Sequence, residues 1–181
     1  MYQVQRPSTS RFLPIRHHQY HVRQWSDAVG ADSTPLVLLH GWMDVSASWQ
    51  FLVDALPQDF ADQHSIIAPD WRGYGLTTGP ETDAFWFPDY LGDLDALLER
   101  LYPGQQVDLV GHSMGGNVVM LYAAARPHRV RRVVNVEGFG MATTRPAQAP
   151  NRIAKWLDEL QTHQKSGNTL QSYPDQDAVA A

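Results

Sequence analysis

Two kinds of apolar spacing alternate along this chain of 181 residues. Short continuous runs, Pro35-Leu36-Val37-Leu38-Leu39, Ile66-Ile67-Ala68-Pro69 and Val107-Asp108-Leu109-Val110, have the length and composition of strands buried on both faces. Between such runs, apolar residues recur at helical spacing, as in Val118, Leu121, Tyr122 and Ala125, a pattern that Pro127 brings to a stop. The pattern predicts strands near 11–15, 19–25, 35–40, 64–69, 106–111 and 131–137, and helices near 47–56, 88–101 and 114–126. The first two strands have no helix between them and suit an antiparallel hairpin. The later alternation of strand and helix implies right-handed crossovers, hence an α/β fold with a mostly parallel sheet and helices on both faces.

Candidate chemistry sits where strands end. Gly111-His112-Ser113-Met114-Gly115-Gly116 follows one strand and opens a helix. A GxSxG there has the form of a nucleophile elbow, a strained turn that lifts the serine hydroxyl above the sheet, whereas an ordinary glycine-rich turn would need no serine. Gly111 and Gly115 flank Ser113 where side chains would crowd the turn. The run ending at Leu39 leads into His40-Gly41-Trp42-Met43-Asp44. In an acyl-transfer site such a loop supplies one oxyanion-hole amide, that of Trp42, and Met114 after the nucleophile supplies the second. Asp70-Trp71-Arg72-Gly73-Tyr74-Gly75 reads as scaffold, with Asp70 and Arg72 free to pair or to bond local backbone.

These three segments resemble the N-terminal part of an α/β-hydrolase, in that family's order and approximate spacing, over about residues 10–145. The His40-Gly41-Trp42-Met43-Asp44 stretch is most similar to the serine hydrolase and esterase branch. The resemblance implies hydrolysis of a small-molecule ester or related acyl compound through an acyl-enzyme, with no cofactor and no metal. Epoxide hydrolases and haloalkane dehalogenases use an aspartate nucleophile and are disfavoured by Ser113. Cofactor-free haloperoxidases and C–C bond hydrolases share the serine elbow and stay open. So does a non-catalytic binding or receptor module.

Family order is nucleophile, acid, histidine. Some branches carry the acid at the end of the sixth strand, which here is Glu137; the plainer alternative is that Glu137 bonds the amides of the Gly138-Phe139-Gly140 turn. No histidine stands where the base is expected. His128 follows the helix after Ser113, at the far end of the sheet, and His112 is the immediate neighbour of Ser113, so the two point to opposite faces. His163 falls in an amphipathic stretch around Ile153, Trp156, Leu157 and Leu160, read either as the start of a helical cap or as a surface helix. The expectation is a core over 1–142, a cap beginning over 143–181, and a chain that stops inside the cap and is inactive alone. Trp42, Phe85, Trp86, Phe87 and Phe139 hint at an apolar pocket, with Trp86 and Phe139 as substrate-binding candidates.

Composition limits the partners. With 43% hydrophobic and 18% charged residues and a net charge of -5, the chain presents no basic field for nucleic acid. No apolar stretch reaches the ~18 residues that span a bilayer, and the first ten residues lack a signal peptide's apolar core, so a cytoplasmic location is expected. The absence of cysteine removes disulfide and thiol chemistry. An unpaired, valine-rich edge at Val133 to Val136 predicts self-association.

Overall fold

The computed structural model describes residues 2–26, 33–82, 85–140 and 143–166; within the last span the side chains of His163 and Ser166 are also outside the description. The chain divides into two compact units, Met1–Met141 and Ala142–Ala181.

The first unit is built on six strands: β1 (Thr9–Ile15), β2 (His18–Ser26), β3 (Leu36–Leu39), β4 (Ile66–Pro69), β5 (Val107–His112) and β6 (Val130–Val136). Their order in the sheet is β1-β2-β4-β3-β5-β6. The β1 and β2 strands form an antiparallel hairpin, β2 runs antiparallel to β4, and β4, β3, β5 and β6 are mutually parallel. The expected fold class is therefore observed: a mixed, mostly parallel sheet with an antiparallel N-terminal hairpin.

Helices α1 (Gln50–Ala55), α2 (Gln58–Gln63), α3 (Phe87–Leu101) and α4 (Met114–Ala125) cover the sheet. The period-2 alternation of strand side chains sorts the core into two layers. Val37 and Leu39 of β3, Ile67 of β4 and Leu109 of β5 pack with Leu94, Leu97, Val118 and Tyr122 on one face. Leu36, Leu38, Ile66 and Ala68 pack with Trp49, Val53 and Ala61 on the other. Burial on both faces is why these strands read as unbroken apolar runs.

The helix expected over 47–56 is instead a 3-10 turn, Ser46–Trp49, running into α1, and α2 was not foreseen. Pro57 divides the two: Leu56 is extended at φ -66°, ψ 144°, the backbone a following proline favours. Arg72 does not pair with Asp70; its Nε and Nη2 hold Asp93 at 2.6 and 2.7 Å inside the core, where the Tyr20 hydroxyl also bonds Asp93. In the second unit, a 3-10 turn at Pro146–Gln148 leads into α5 (Ala149–Ser166), with Arg145 N donating to Gln148 Oε1 at 2.9 Å. The tail over 167–181 lies outside the described residues. Among the described residues no helix is long and apolar enough to cross a membrane.

Candidate active site

Strand β5 stops at His112, and the chain enters α4 through Ser113 at φ 51°, ψ -113°. A non-glycine residue in that region costs about 1–3 kcal/mol and persists only where its surroundings impose it. Here they do. Ser113 N donates to Val136 O at 2.9 Å, and Asn117 N donates to Ser113 O at 3.1 Å. A side chain at Gly111 would meet the Gly115 carbonyl, one at Gly115 would meet the Leu39 carbonyl, and one at Gly116 would meet the Asn135 amide. Three missing side chains thus let α4 start directly against β3, β5 and β6, and the only route left between β5 and α4 turns Ser113 outward, half-buried.

The loop after β3 comes alongside. A Cβ on Gly41 would stand 3.2 Å from Ser113 Cβ and 3.1 Å from His112 Nδ1. His40, fully buried, fixes this loop: its Nε2 accepts from Trp71 N at 2.9 Å, so its Nδ1 carries the hydrogen and donates to Gly41 O at 2.7 Å. Burial lowers the His40 pKa below its ordinary 6.5, which keeps the ring neutral as both bonds require. A trans peptide points its C=O and N–H in opposite directions, so holding Gly41 O toward His40 turns the Trp42 N–H away from that ring. Met43, at φ 56°, completes the bend. The Met114 N–H, in the first turn of α4, is one of the donors a helix leaves without an internal partner. The signal for His40 in the sequence is its place directly before Gly41.

Asp70 supports the same end of the sheet. Its Oδ1 accepts from Ser46 N at 2.6 Å, and its Oδ2 from Leu76 N at 2.8 Å and His21 Nδ1 at 2.7 Å. Burial pushes its carboxyl up, but the hydrogen bonds from Leu76, Ser46 and His21 outweigh it and hold the group below its ordinary value. Of the two roles left open for Asp70, bonding to backbone is the observed one.

Glu137 follows β6 at φ 63° with its side chain 65% exposed, and its Oε2 lies 3.8 Å from His112 Nε2. The amides of the next turn are held by other residues: Gly138 N donates to Asn135 Oδ1 at 2.8 Å and Gly140 N to Asn117 Oδ1 at 2.7 Å. The sequence places Asn117 only at helical spacing after Ser113 and Asn135 only within the run 133–136, with no sign that they meet this turn. His128 sits in the 3-10 turn Pro127–Arg129 before β6, at the opposite end of the sheet from Ser113. Among the described residues, no imidazole hydrogen-bonds the Ser113 hydroxyl, and no three His, Asp or Glu side chains gather as a metal site would need.

The aromatic candidates separate. Trp42, Trp86 and Phe139 are exposed at 67%, 71% and 88%, whereas Phe87 packs against the core. Phe85 lies over Gly73, where a side chain's Cβ would fall 2.6 Å from its ring.

The sequence profile of the alpha/beta hydrolase fold matches residues 34–174. Over 156 residues the chain is 30% identical to a serine hydrolase-like protein of Danio rerio, covering 85% of this chain and 45% of that protein. Over 114 residues it is 33% identical to a 2-hydroxy-6-oxo-2,4-heptadienoate hydrolase of Pseudomonas putida, covering 63% of this chain and 40% of that protein. The solved structure of a thioesterase domain from the curacin biosynthetic pathway superposes with a TM-score of 0.74 at 23% identity, over 96% of this chain and 60% of that one. The chain spans less than half the length of these curated relatives.

Proposed function

Because the chain belongs to the alpha/beta hydrolase fold family, we propose that it carries the nucleophile side of a serine hydrolase that acts on a small carboxylic ester or related acyl substrate. The observation that carries this reading is the strained Ser113 elbow with the Gly41 loop beside it. Ser113 Oγ attacks the carbonyl carbon, and the amides of Trp42 and Met114 receive the negative charge that grows on the carbonyl oxygen. The start of α4 adds its positive dipole end. The tetrahedral intermediate collapses to an acyl-serine and releases the alcohol, and water then frees the acid.

The Ser113 proton needs an imidazole, and the described histidines are otherwise placed: His40 is locked to the backbone and His112 is turned to Glu137. We assign the base to the stretch of the relatives' length that this chain does not span, with Glu137 as the carboxylate that orients it. Exposed and at the strand end nearest Ser113, Glu137 is free to accept from such a ring. Trp86 and Phe139 offer the apolar surface for the acyl part. In a protein that spans the relatives' full length, Ser113→Ala should lower p-nitrophenyl ester hydrolysis by roughly 10⁶, because removing one member of a triad costs about as much as removing it all. Activity retained within tenfold overturns the assignment.

A second reading, hydrolysis of a C–C bond, draws on the Pseudomonas putida relative, whose named substrate is a keto acid without an ester. Offering the same preparation a dienoic keto acid beside the ester separates the two.

A further inference from the structure

Away from Ser113, a second serine lies against an imidazole. In the β1–β2 hairpin Ser10 stands opposite Arg23 and Phe12 opposite His21, so all four side chains share one face. Ser10 Oγ is 2.8 Å from His21 Nε2, and His21 Nδ1 is 2.7 Å from Asp70 Oδ2. His21 and Asp70 are buried while Ser10 is exposed. The three bonds that Asp70 accepts keep it ionised, which places the ring hydrogen on Nδ1 and leaves the Nε2 lone pair to accept from the Ser10 hydroxyl. Phe12, with its ring centroid 5.2 Å from that of His21, covers the imidazole. Nucleophile, base and orienting carboxylate thus follow one another at hydrogen-bond distances.

Arg23 supplies the independent observation. Its Nη1 donates to Ser8 Oγ at 2.7 Å, but its Nε is buried without a hydrogen-bond partner among the described residues. Side chains directly opposite in an antiparallel pair have Cβ atoms about 5 Å apart, so Arg23 and Ser10 leave the hairpin side by side on one face.

We propose that Ser10 is a second nucleophilic serine, a self-acylation site that takes the acyl group of small activated carboxylic esters. Ser10 Oγ forms the new bond to the carbonyl carbon while its proton passes to His21 Nε2. Arg23 Nε–H donates to the resulting oxyanion, which is otherwise exposed to water. Collapse breaks the bond to the leaving oxygen, which takes the proton from His21 and departs as the alcohol, leaving an O-acyl ester on Ser10. Asp70 is a positioning residue that holds the ring. Ser10 is exposed at the edge of this face while His21 behind it is buried, so the selectivity is for reactive, unhindered esters.

The test uses the full chain with Ser113→Ala, so that the assignment of Ser113 plays no part in it. After incubation with p-nitrophenyl acetate, intact mass and peptide mapping should show one acetyl group on Ser10, with an equivalent release of p-nitrophenol. Adding Ser10→Ala should abolish both. Adding His21→Gln should slow acetylation of Ser10 by about 10²-fold or more, the scale of a lost general base. His21 is also a structural contact, so Ser113→Ala/Arg23→Gln serves as the second comparison and should slow the same step while circular dichroism stays native. An unmodified Ser10 in folded protein overturns the proposal, as do equal acetylation rates with and without Arg23; both results leave the Ser10–His21–Asp70 chain as a tether between the edge hairpin and β4.

Discussion

A buried imidazole that accepts from one backbone amide and donates to a carbonyl must stay neutral to do both, and His40 does both. Its pKa is lowered in the folded chain, chiefly by burial, and returns to about 6.5 on unfolding. Above that value the ring is neutral in both states and the full stability is present. As pH falls below it, the unfolded chain takes up the proton first, and stability drains until the folded-state pKa is passed. Urea midpoints measured from pH 7.5 downward should therefore fall from about pH 6.5, and His40→Gln should flatten that decline while lowering the pH 7.5 midpoint. Glu137 makes a different prediction. If it orients the histidine of the complete protein, Glu137→Gln should reduce kcat by roughly 10⁴ with little change in KM, as when an imidazole loses its carboxylate. Because Asn135 and Asn117 hold the following turn, the same substitution should leave Tm almost unmoved.

At the scale of elements, two helical glycines contrast. Alanine is favoured over glycine inside a helix by up to about 1 kcal/mol. At Gly115 that gain is overruled, since the new methyl would run into the Leu39 and His40 carbonyls, which cannot retreat without moving β3. At Gly92 in α3 the nearest atom is the Arg16 guanidinium at 3.1 Å, the far end of a flexible side chain. Gly115→Ala should thus lower Tm, by several degrees at about 2–4 °C per kcal/mol for a chain of this size, and Gly92→Ala should hold or raise it. A thermal melt of the two variants decides whether the approach of α4 to the sheet is as tight as the geometry requires. Helix spans were legible to within a residue or two for α3 and α4. They were misread at Ser46–Trp49, where a 3-10 turn and an α-helix share one apolar pattern because both bury Trp49 and Val53 in the same layer.

For the molecule as a whole, the lopsided feature is β6. It pairs only with β5 among the described strands, and Val133, Val134 and Val136 are exposed. A strand with free backbone groups and apolar side chains is a template for another copy of itself. The 181-residue chain should sediment above its 20.4 kDa monomer mass, and Val134→Lys, which sets a charge on that face, should shift it toward monomer. A monomeric wild-type chain at tens of micromolar refutes this.

The sequence by itself determined the strand order in time, the hairpin at the start, the parallel core and the serine at a strand-to-helix turn. Each rests on local information: apolar period, glycine where a turn needs it, proline where a helix ends. What only the tertiary structure decided are the pairings between residues far apart in the chain. Arg72 meets Asp93 rather than Asp70, because the buried carboxylate on α3 lies where the loop after β4 delivers the guanidinium. His40 reaches Trp71, and His21 bridges Ser10 to Asp70, because β2, β4 and β3 lie side by side in an order that chain position does not reveal. A hydrogen bond is chosen by distance and direction in space. A sequence lists the donors and acceptors, but only the packed sheet says which of them meet.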